Sequence, residues 1–176
     1  ALLDAKRAGL ITHAGVANWG LVYLSEIREA GLPLPAINEL EFSPFVDDRQ
    51  RQLVLHHCAR LGIRVIAYNS LGGGAVKRLK RDSTVRRFAY GLNSTSASLL
   101  LRHALSYNLS VIPQASSLKH VRENLGLEHA RRLTFDELRA VEADKQARDV
   151  WPSFDLANSP HRVAVGGLPC ESSEAL

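Results

Sequence analysis

Hydrophobic positions along the chain switch repeatedly between a strand-like and a helix-like spacing. Four short apolar segments end in polar residues, and the stretches between them carry apolar residues at helical spacing. The predicted strands cover residues 12–18, 36–42, 63–68 and 109–113. Strands that alternate with helices, joined by connections long enough for crossovers, predict a parallel sheet covered by helices.

Two α/β architectures fit this order of elements, a doubly wound open sheet and a (β/α) barrel. No Gly-x-Gly-x-x-Gly sequence follows a predicted strand, so the usual dinucleotide fingerprint of the open sheet is missing. Polar and aromatic residues at the carboxyl ends of the strands are typical of a barrel, where ligands bind at those ends. The predicted fold is therefore α/β, a partial (β/α)8 TIM barrel of about four βα units plus a carboxyl-terminal helix.

A capping box gives the last helix its start. Thr134 occupies the cap position and Glu137 follows three residues later, which predicts a helix over residues 135–147. After it, Pro, Ser, Asn and Gly recur without periodicity. We expect residues 1–150 to form the barrel segment and residues 151–176 to form a mobile tail.

Half a barrel leaves its outer strands, residues 12–18 and 109–113, with unpaired edges. Exposed edges promote association, so we expect self-association through the open barrel edges or a requirement for an amino-terminal half. A helix is predicted beside the last strand, and its residues Leu118, Val121 and Leu125 are expected to face inward.

Composition narrows the class of protein. No apolar run approaches the ~20 residues that a bilayer span requires, and no signal peptide is recognisable, so we expect a cytoplasmic protein without membrane contact. The spacing of Cys58 and Cys170 suggests neither a metal site nor a disulfide.

The formal net charge of +4 owes much to residues 77–81, which follow the glycines at 72–74. This basic run is either a solvated surface or a region whose positive charge attracts a phosphate group. The sequence has neither the residue spacing of a zinc finger nor aromatic residues interleaved with basic ones, so it gives no support for nucleic-acid binding.

Five segments carry a resemblance to one family, in the family's order and spacing, over about residues 5–150. They are Gly9-Leu-Ile-Thr-His-Ala-Gly-Val-Ala-Asn-Trp19, Ile37-Asn-Glu-Leu-Glu-Phe-Ser-Pro44, Gly62-Ile-Arg-Val-Ile-Ala-Tyr-Asn-Ser-Leu-Gly72, Leu101-Arg-His-Ala-Leu105, and Ile112-Pro-Gln through Glu123-Asn124. The chain resembles the carboxyl-terminal half of the aldo-keto reductases, which are (β/α)8 barrels that reduce carbonyl compounds with NADP or NAD. The resemblance implies an NAD(P)H-dependent oxidoreductase segment that carries the cofactor-binding half and acts on a small carbonyl substrate.

The same resemblance assigns the residues at the nicotinamide end. It implies that Asn18 and Glu39 hold the carboxamide and that the ring of Tyr68 stacks on the nicotinamide. The family usually has serine at the place of Ala17 and glutamine at the place of Glu39. A carboxylate accepts from the carboxamide NH₂ but cannot donate to its carbonyl. The loop that covers the pyrophosphate begins with Asn69, Ser70 and Leu71.

At the adenosine end of the cofactor, this chain differs from the family's usual residues at three positions. Gln114 and His120 stand where the family often has the lysine and arginine that bind the 2′-phosphate of NADP, and Ala115 replaces a serine. Glu123 and Asn124 match residues that contact the adenine. Two fixed cations are lost, and phosphate binding depends on such charges, so NAD is as good a candidate as NADP.

No catalytic residue is implied within this chain. The family's catalytic tetrad of Asp, Tyr, Lys and His belongs to the amino-terminal half, ahead of the matched segments. His13 lies at the start of a matched strand and is interpreted as structural. The chain alone is therefore predicted to be inactive. The changed residues at cofactor positions leave a second hypothesis open, a divergent non-catalytic domain that senses nucleotides or binds a protein.

Overall fold

A computed structural model of the chain describes residues 1–45, 48–73 and 81–142. The elements follow in the order α1 (Leu2–Arg7), β1 (Gly15–Ala17), α2 (Leu21–Glu29), β2 (Ile37–Glu41), α3 (Asp48–Arg60), β3 (Arg64–Tyr68), α4 (Ser83–Gly91), α5 (Ser96–Ser106), β4 (Ser110–Val111), α6 (Leu118–Leu125), a 3₁₀ turn (Gly126–His129) and α7 (Phe135–Glu142). None of the helices in these ranges is long and apolar enough to cross a membrane.

The four strands form one parallel sheet in chain order, β1-β2-β3-β4. Glu39 of β2 is paired with Ala17 of β1 and with Ile66 of β3, and Glu41 is paired with Tyr68. Parallel neighbours require crossover connections, and helices occur in each of them. This arrangement confirms the predicted α/β fold, a partial (β/α)8 barrel.

Alternating side chains give the sheet two different faces. One face is buried beneath helices and carries Asn38, Leu40, Val65 and Ala67. The other carries Glu39, Glu41 and Tyr68, which are half-buried. Polar groups thus lie on the face that is turned away from the main core.

Two hydrophobic clusters hold the helices against the sheet. The first joins α2 and α3 to the sheet through Leu24, Phe42, Val54 and Cys58, and burial raises the pKa of the Cys58 thiol. The second joins α4, α5 and α7 through Val85, Ala89, Leu99, Leu100 and Val141. Burying a large apolar side chain contributes about 1.5–3 kcal/mol relative to exposing it, so these clusters position the ends of the strands.

Element boundaries differ from prediction mainly at the outer strands. β1 and β4 are shorter than the predicted residues 12–18 and 109–113, and in the described part of the chain each of them pairs with one neighbouring strand. α4 begins earlier than the predicted residue 85, because the Asp82 carboxylate accepts hydrogen bonds from the backbone N–H groups of Thr84 and Val85, both at 2.9 Å.

The expected inward orientation of α6 is wrong. Leu118, Val121 and Leu125 are 74%, 39% and 68% exposed. α6 follows the outer strand β4, and within the described ranges no element covers this apolar stripe.

The capping box at the start of α7 is confirmed. The Thr134 backbone N–H donates to Glu137 Oε2 at 2.8 Å, and the Glu137 N–H donates to Thr134 Oγ1 at 3.3 Å. α7 is described as far as Glu142. The predicted extension to residue 147, the domain boundary at 150, the tail at 151–176 and most of the basic run at 77–81 lie outside the described residues.

Candidate functional site

A cavity of about 480 Å³ opens at the carboxyl ends of β3 and β4. Its lining includes six of the residues predicted to bind the cofactor: Tyr68, Asn69, Ser70, Leu71, Gln114 and His120. Leu101, Ile112 and Ser116 also line it, and the sequence did not single them out. The cavity occupies the position where a (β/α) barrel holds its ligand.

Asn18 joins this site through Tyr68. The Tyr68 hydroxyl donates to Asn18 Oδ1 at 2.9 Å, although 50 residues separate them in the chain. Asn18 follows β1 with φ of 59°, in the left-handed region that asparagine adopts more readily than most residues. The structure therefore brings Asn18, Tyr68 and Gln114 to neighbouring ends of parallel strands, as the sequence predicted.

Glu39 lies directly beside Asn18. The Asn18 backbone N–H donates to the Glu39 carbonyl oxygen at 2.9 Å. The Glu39 side chain is half-buried on the polar face of the sheet, and its carboxylate forms no hydrogen bond or ion pair with any residue in the described ranges.

The electrostatic environment of Tyr68 is acidic. Burial raises the pKa of its phenol, and the carboxylates of Glu41 and then Glu39 raise it further. The carboxylates of β2 therefore act on the ring of Tyr68, which lines the cavity.

The loop after β3 is fixed by short-range contacts. Asn69 has φ of 52°, and its Nδ2 donates to Glu41 Oε1 at 3.1 Å. Ser70 is buried, and the Gly72 N–H donates to the Asn69 carbonyl oxygen at 2.7 Å. A Cβ atom on Gly73 would stand only 3.0 Å from Asn69 Nδ2. Asn69, which begins the loop predicted to cover the pyrophosphate, thus holds that loop to β2 through its side-chain amide. Gly74 of the predicted phosphate cradle lies outside the described residues.

Glu123 and Asn124, the two residues predicted to contact the adenine, do not line this first cavity. Glu123 accepts hydrogen bonds from Thr95 Oγ1 and from Ser98 Oγ, the latter at 2.9 Å. The Thr95 bond is the main cause of a lowered Glu123 pKa. Glu123 lines a second cavity of about 510 Å³ together with Thr95 and Ser98, and Asn124 is not among the residues lining the first cavity.

A buried polar cluster lies apart from the cavity and was not predicted. Glu142 Oε1 accepts from His103 Nε2 at 2.7 Å and from Tyr107 OH at 2.6 Å, and it pairs with Arg51 Nη2 at 3.5 Å. Burial opposes ionisation of Glu142, but the hydrogen bonds from His103 and Tyr107 keep its pKa below the ordinary value. The cluster joins α3, α5 and α7. Arg51 and Glu142 are 91 residues apart, so no local pattern indicates the pairing.

The described part of the chain contains no recognisable metal site. No group of three or more His, Cys, Asp or Glu residues there is arranged to hold a metal ion. The polar groups that converge are instead an amide, a phenol, carboxylates and an imidazole, which suit hydrogen bonding to an organic ligand.

The chain matches the model of the aldo/keto reductase family over residues 1–144. It is 40% identical over 130 residues to an uncharacterized oxidoreductase of Schizosaccharomyces pombe, which covers 73% of this chain and 44% of that protein. It is 32% identical over 165 residues to the methylglyoxal reductase DkgB of Salmonella typhimurium, with 93% of this chain and 57% of that protein covered.

A solved structure agrees with these relatives. The crystal structure of a Bombyx mori aldo-keto reductase in complex with NADP superposes with a TM-score of 0.74 at 25% identity, covering 89% of this chain and 51% of that chain. The chain spans about half the length of the curated relatives that it matches. The family match agrees with the resemblance carried by the five sequence segments, and the chain belongs to the aldo/keto reductase family.

Proposed function

We propose that this chain is the nicotinamide-cofactor-binding half of an aldo/keto reductase, an oxidoreductase that transfers hydride between NAD(P)H and a small carbonyl compound. The observation that carries the proposal is the cavity at the strand ends, which gathers six predicted cofactor residues and is linked to Asn18 through Tyr68. The NADP bound to the Bombyx mori relative supports the choice of ligand.

At the nicotinamide end, Asn18 and Glu39 divide the recognition of the carboxamide. Asn18 Oδ1 already accepts from Tyr68, while its NH₂ group donates to no described residue. That NH₂ donates to the carboxamide oxygen, and the Glu39 carboxylate accepts from the carboxamide nitrogen. A glutamate at position 39 is therefore compatible with cofactor binding, because Asn18 supplies the missing donor. The ring of Tyr68 provides the stacking surface.

At the adenosine end, Gln114 and His120 line the cavity near the start of α6. Gln114 carries no charge, and an imidazole binds a phosphate less firmly than the bidentate guanidinium that the family often has there. The chain therefore accepts NAD as well as NADP, with little discrimination by the 2′-phosphate.

Turnover requires a general acid that this chain does not supply. The family's tetrad of Asp, Tyr, Lys and His belongs by resemblance to the amino-terminal half of the barrel. The chain alone thus binds the cofactor without reducing a carbonyl compound. Within the described residues β1 and β4 each pair on one side only. A complementing half would close the barrel along these two edges, and without it the edges promote self-association.

A second candidate function is a non-catalytic nucleotide sensor or protein-interaction domain. The changed residues favour it: Ala17, Glu39, Gln114, Ala115 and His120 all depart from the family's usual cofactor residues. Cofactor affinity separates an interaction domain from the leading proposal, because an interaction domain has no need to retain it.

Titration of the full chain with NADPH and with NADH tests the proposal. Trp19 adjoins Asn18 and provides a fluorescence signal. We expect saturable binding of both cofactors and about tenfold weaker binding by Asn18→Ala, since losing a hydrogen bond of about 1–1.5 kcal/mol has that effect. Asn108→Ala is the matched control, because Asn108 has the same φ of 59° but lies after α5, outside the cavity lining.

Three results would contradict the proposal. Absence of binding at millimolar cofactor would favour the interaction domain. Equal loss in Asn18→Ala and Asn108→Ala would show that binding responds to fold stability rather than to the nicotinamide contact. Reduction of an aldehyde by the chain alone, at rates typical of the family, would show that the general acid lies within it.

A further inference from the structure

We propose that Glu39 makes this site selective for the oxidised nicotinamide cofactor over the reduced one. The inference rests on the proposed function, because it takes the nicotinamide ring to lie against Tyr68. It concerns the relative affinity for two states of one ligand and adds no chemical step.

The position of Glu39 follows from the sheet. Its residue pairs are Ala17 on one side and Ile66 on the other, one layer from the strand ends. Its backbone carbonyl is bonded to Asn18, and Asn18 is bonded to Tyr68. The Glu39 side chain is half-buried on the same face of the sheet as Tyr68, whose hydroxyl is bonded to Asn18, so the carboxylate lies on the face that would contact the nicotinamide.

The negative charge of Glu39 is not neutralised within the described residues. Arg64 shares this face of the sheet but is exposed and forms no ion pair with it. A second carboxylate, Glu41, lies two residues further along β2 on the same face. Both carboxylates influence the phenol of Tyr68, which is the surface assigned to the ring.

The two states of the cofactor differ in charge at this point. The oxidised nicotinamide ring is a cation, whereas the reduced ring is neutral, so a nearby carboxylate stabilises the oxidised form selectively. Opposite unit charges ~5–7 Å apart, at an effective dielectric of about 50, between the values for pairs near a protein surface and for bulk water, favour the charged state by roughly five- to tenfold in affinity. Selective binding of the oxidised form lowers the reduction potential of the bound cofactor, by about 30 mV for a tenfold ratio.

The test compares the dissociation constants of NADP⁺ and NADPH for the full chain and for Glu39→Gln, measured by calorimetry at low salt. Glutamine has the same shape and keeps one acceptor for the carboxamide, while an uncharged NH₂ group takes the place of the second carboxylate oxygen. We expect Glu39→Gln to weaken NADP⁺ binding roughly five- to tenfold and to leave NADPH binding within about twofold. Glu29→Gln, at the exposed carboxyl end of α2, is the matched control and should leave both constants unchanged.

Ionic strength provides an independent readout of charge. The preference of the unmodified chain for NADP⁺ over NADPH should shrink as salt is raised, and the corresponding ratio for Glu39→Gln should respond less. A purely structural role of Glu39 would not produce this difference.

The outcomes separate this inference from the proposed function. If both cofactor forms bind and Glu39→Gln leaves their ratio unchanged, or weakens both equally, the selectivity is overturned and the cofactor site stands. If the unmodified chain binds neither form, the proposed function fails and the inference fails with it.

Discussion

Asparagines in the left-handed conformation end two of the strands that form the site. Asn18 follows β1 with φ of 59°, and Asn69 follows β3 with φ of 52°. A positive φ turns the chain sharply, and asparagine adopts it at lower cost than most residues other than glycine. Each asparagine then uses its side chain: Asn18 accepts from Tyr68, and Asn69 donates to Glu41. Backbone conformation and side-chain chemistry thus explain the same residue choice.

Replacing Asn69 by glycine separates these two roles. Asn69→Gly keeps the left-handed backbone but removes the bond to Glu41 and the packing against Gly73. We expect faster hydrogen exchange of the amides at residues 70–73 and several-fold weaker cofactor binding. Asn108→Gly, at a residue with φ of 59°, is the control. Unchanged exchange in the loop would show that Asn69 does not hold it.

The sequence could predict which residues the topology brings together, but not which side chains become partners after folding. Asn18, Tyr68 and Gln114 were expected together because parallel strand ends converge. The engagement of Glu123 by Thr95 and Ser98 was not foreseen, because it depends on how α6 packs beside the start of α5.

Among the elements, the start of α7 was the best predicted feature. The capping box at the start of α7 consists of two hydrogen bonds between Thr134 and Glu137. These residues are only three positions apart, so the motif can be recognised from the sequence. The anchoring of the other end of α7 was not visible. Glu142 meets His103 and Tyr107 of α5 inside the protein, and these contacts are created only by the tertiary fold.

Removing the cap of α7 should have a measurable cost. We expect Thr134→Ala to lower the free energy of unfolding by about 1 kcal/mol in urea denaturation, and Thr134→Ser to retain most of it. Bonds from Arg131, and then from Thr134, lower the pKa of Glu137 to about 2. The contribution of Glu137 is therefore fully present above the ordinary carboxyl pKa of 4.5 and is lost as pH falls through about 2. A Thr134→Ala variant as stable as the parent chain would contradict this role.

For the whole molecule, the outer edges of the sheet are the dominant feature. β1 and β4 each pair on one side within the described residues, and α6, which follows β4 in the chain, exposes an apolar stripe of Leu118, Val121 and Leu125. The hydrophobic pattern predicted this stripe correctly. Its expected burial was wrong because amphipathicity shows which face is apolar, while only the full assembly determines what covers that face.

Association through this stripe can be tested by sedimentation velocity. We expect the chain to sediment faster than a monomer, increasingly so with concentration, and the double variant Leu118→Lys with Leu125→Lys to shift it toward the monomer. Leu53→Lys, at an exposed leucine of α3, is the control that changes charge away from the edge. A stable monomer at all concentrations would contradict association at the barrel edge.

The convergence of the strand ends has an evolutionary consequence. The proposed cofactor groups that surround the cavity, from Asn18 to His120, come from one uninterrupted stretch of chain. A recombination event upstream of Asn18 would therefore transfer cofactor handling as a single inheritable block. Joined to a different amino-terminal half, such a block would meet a different substrate pocket while its own side chains stayed together.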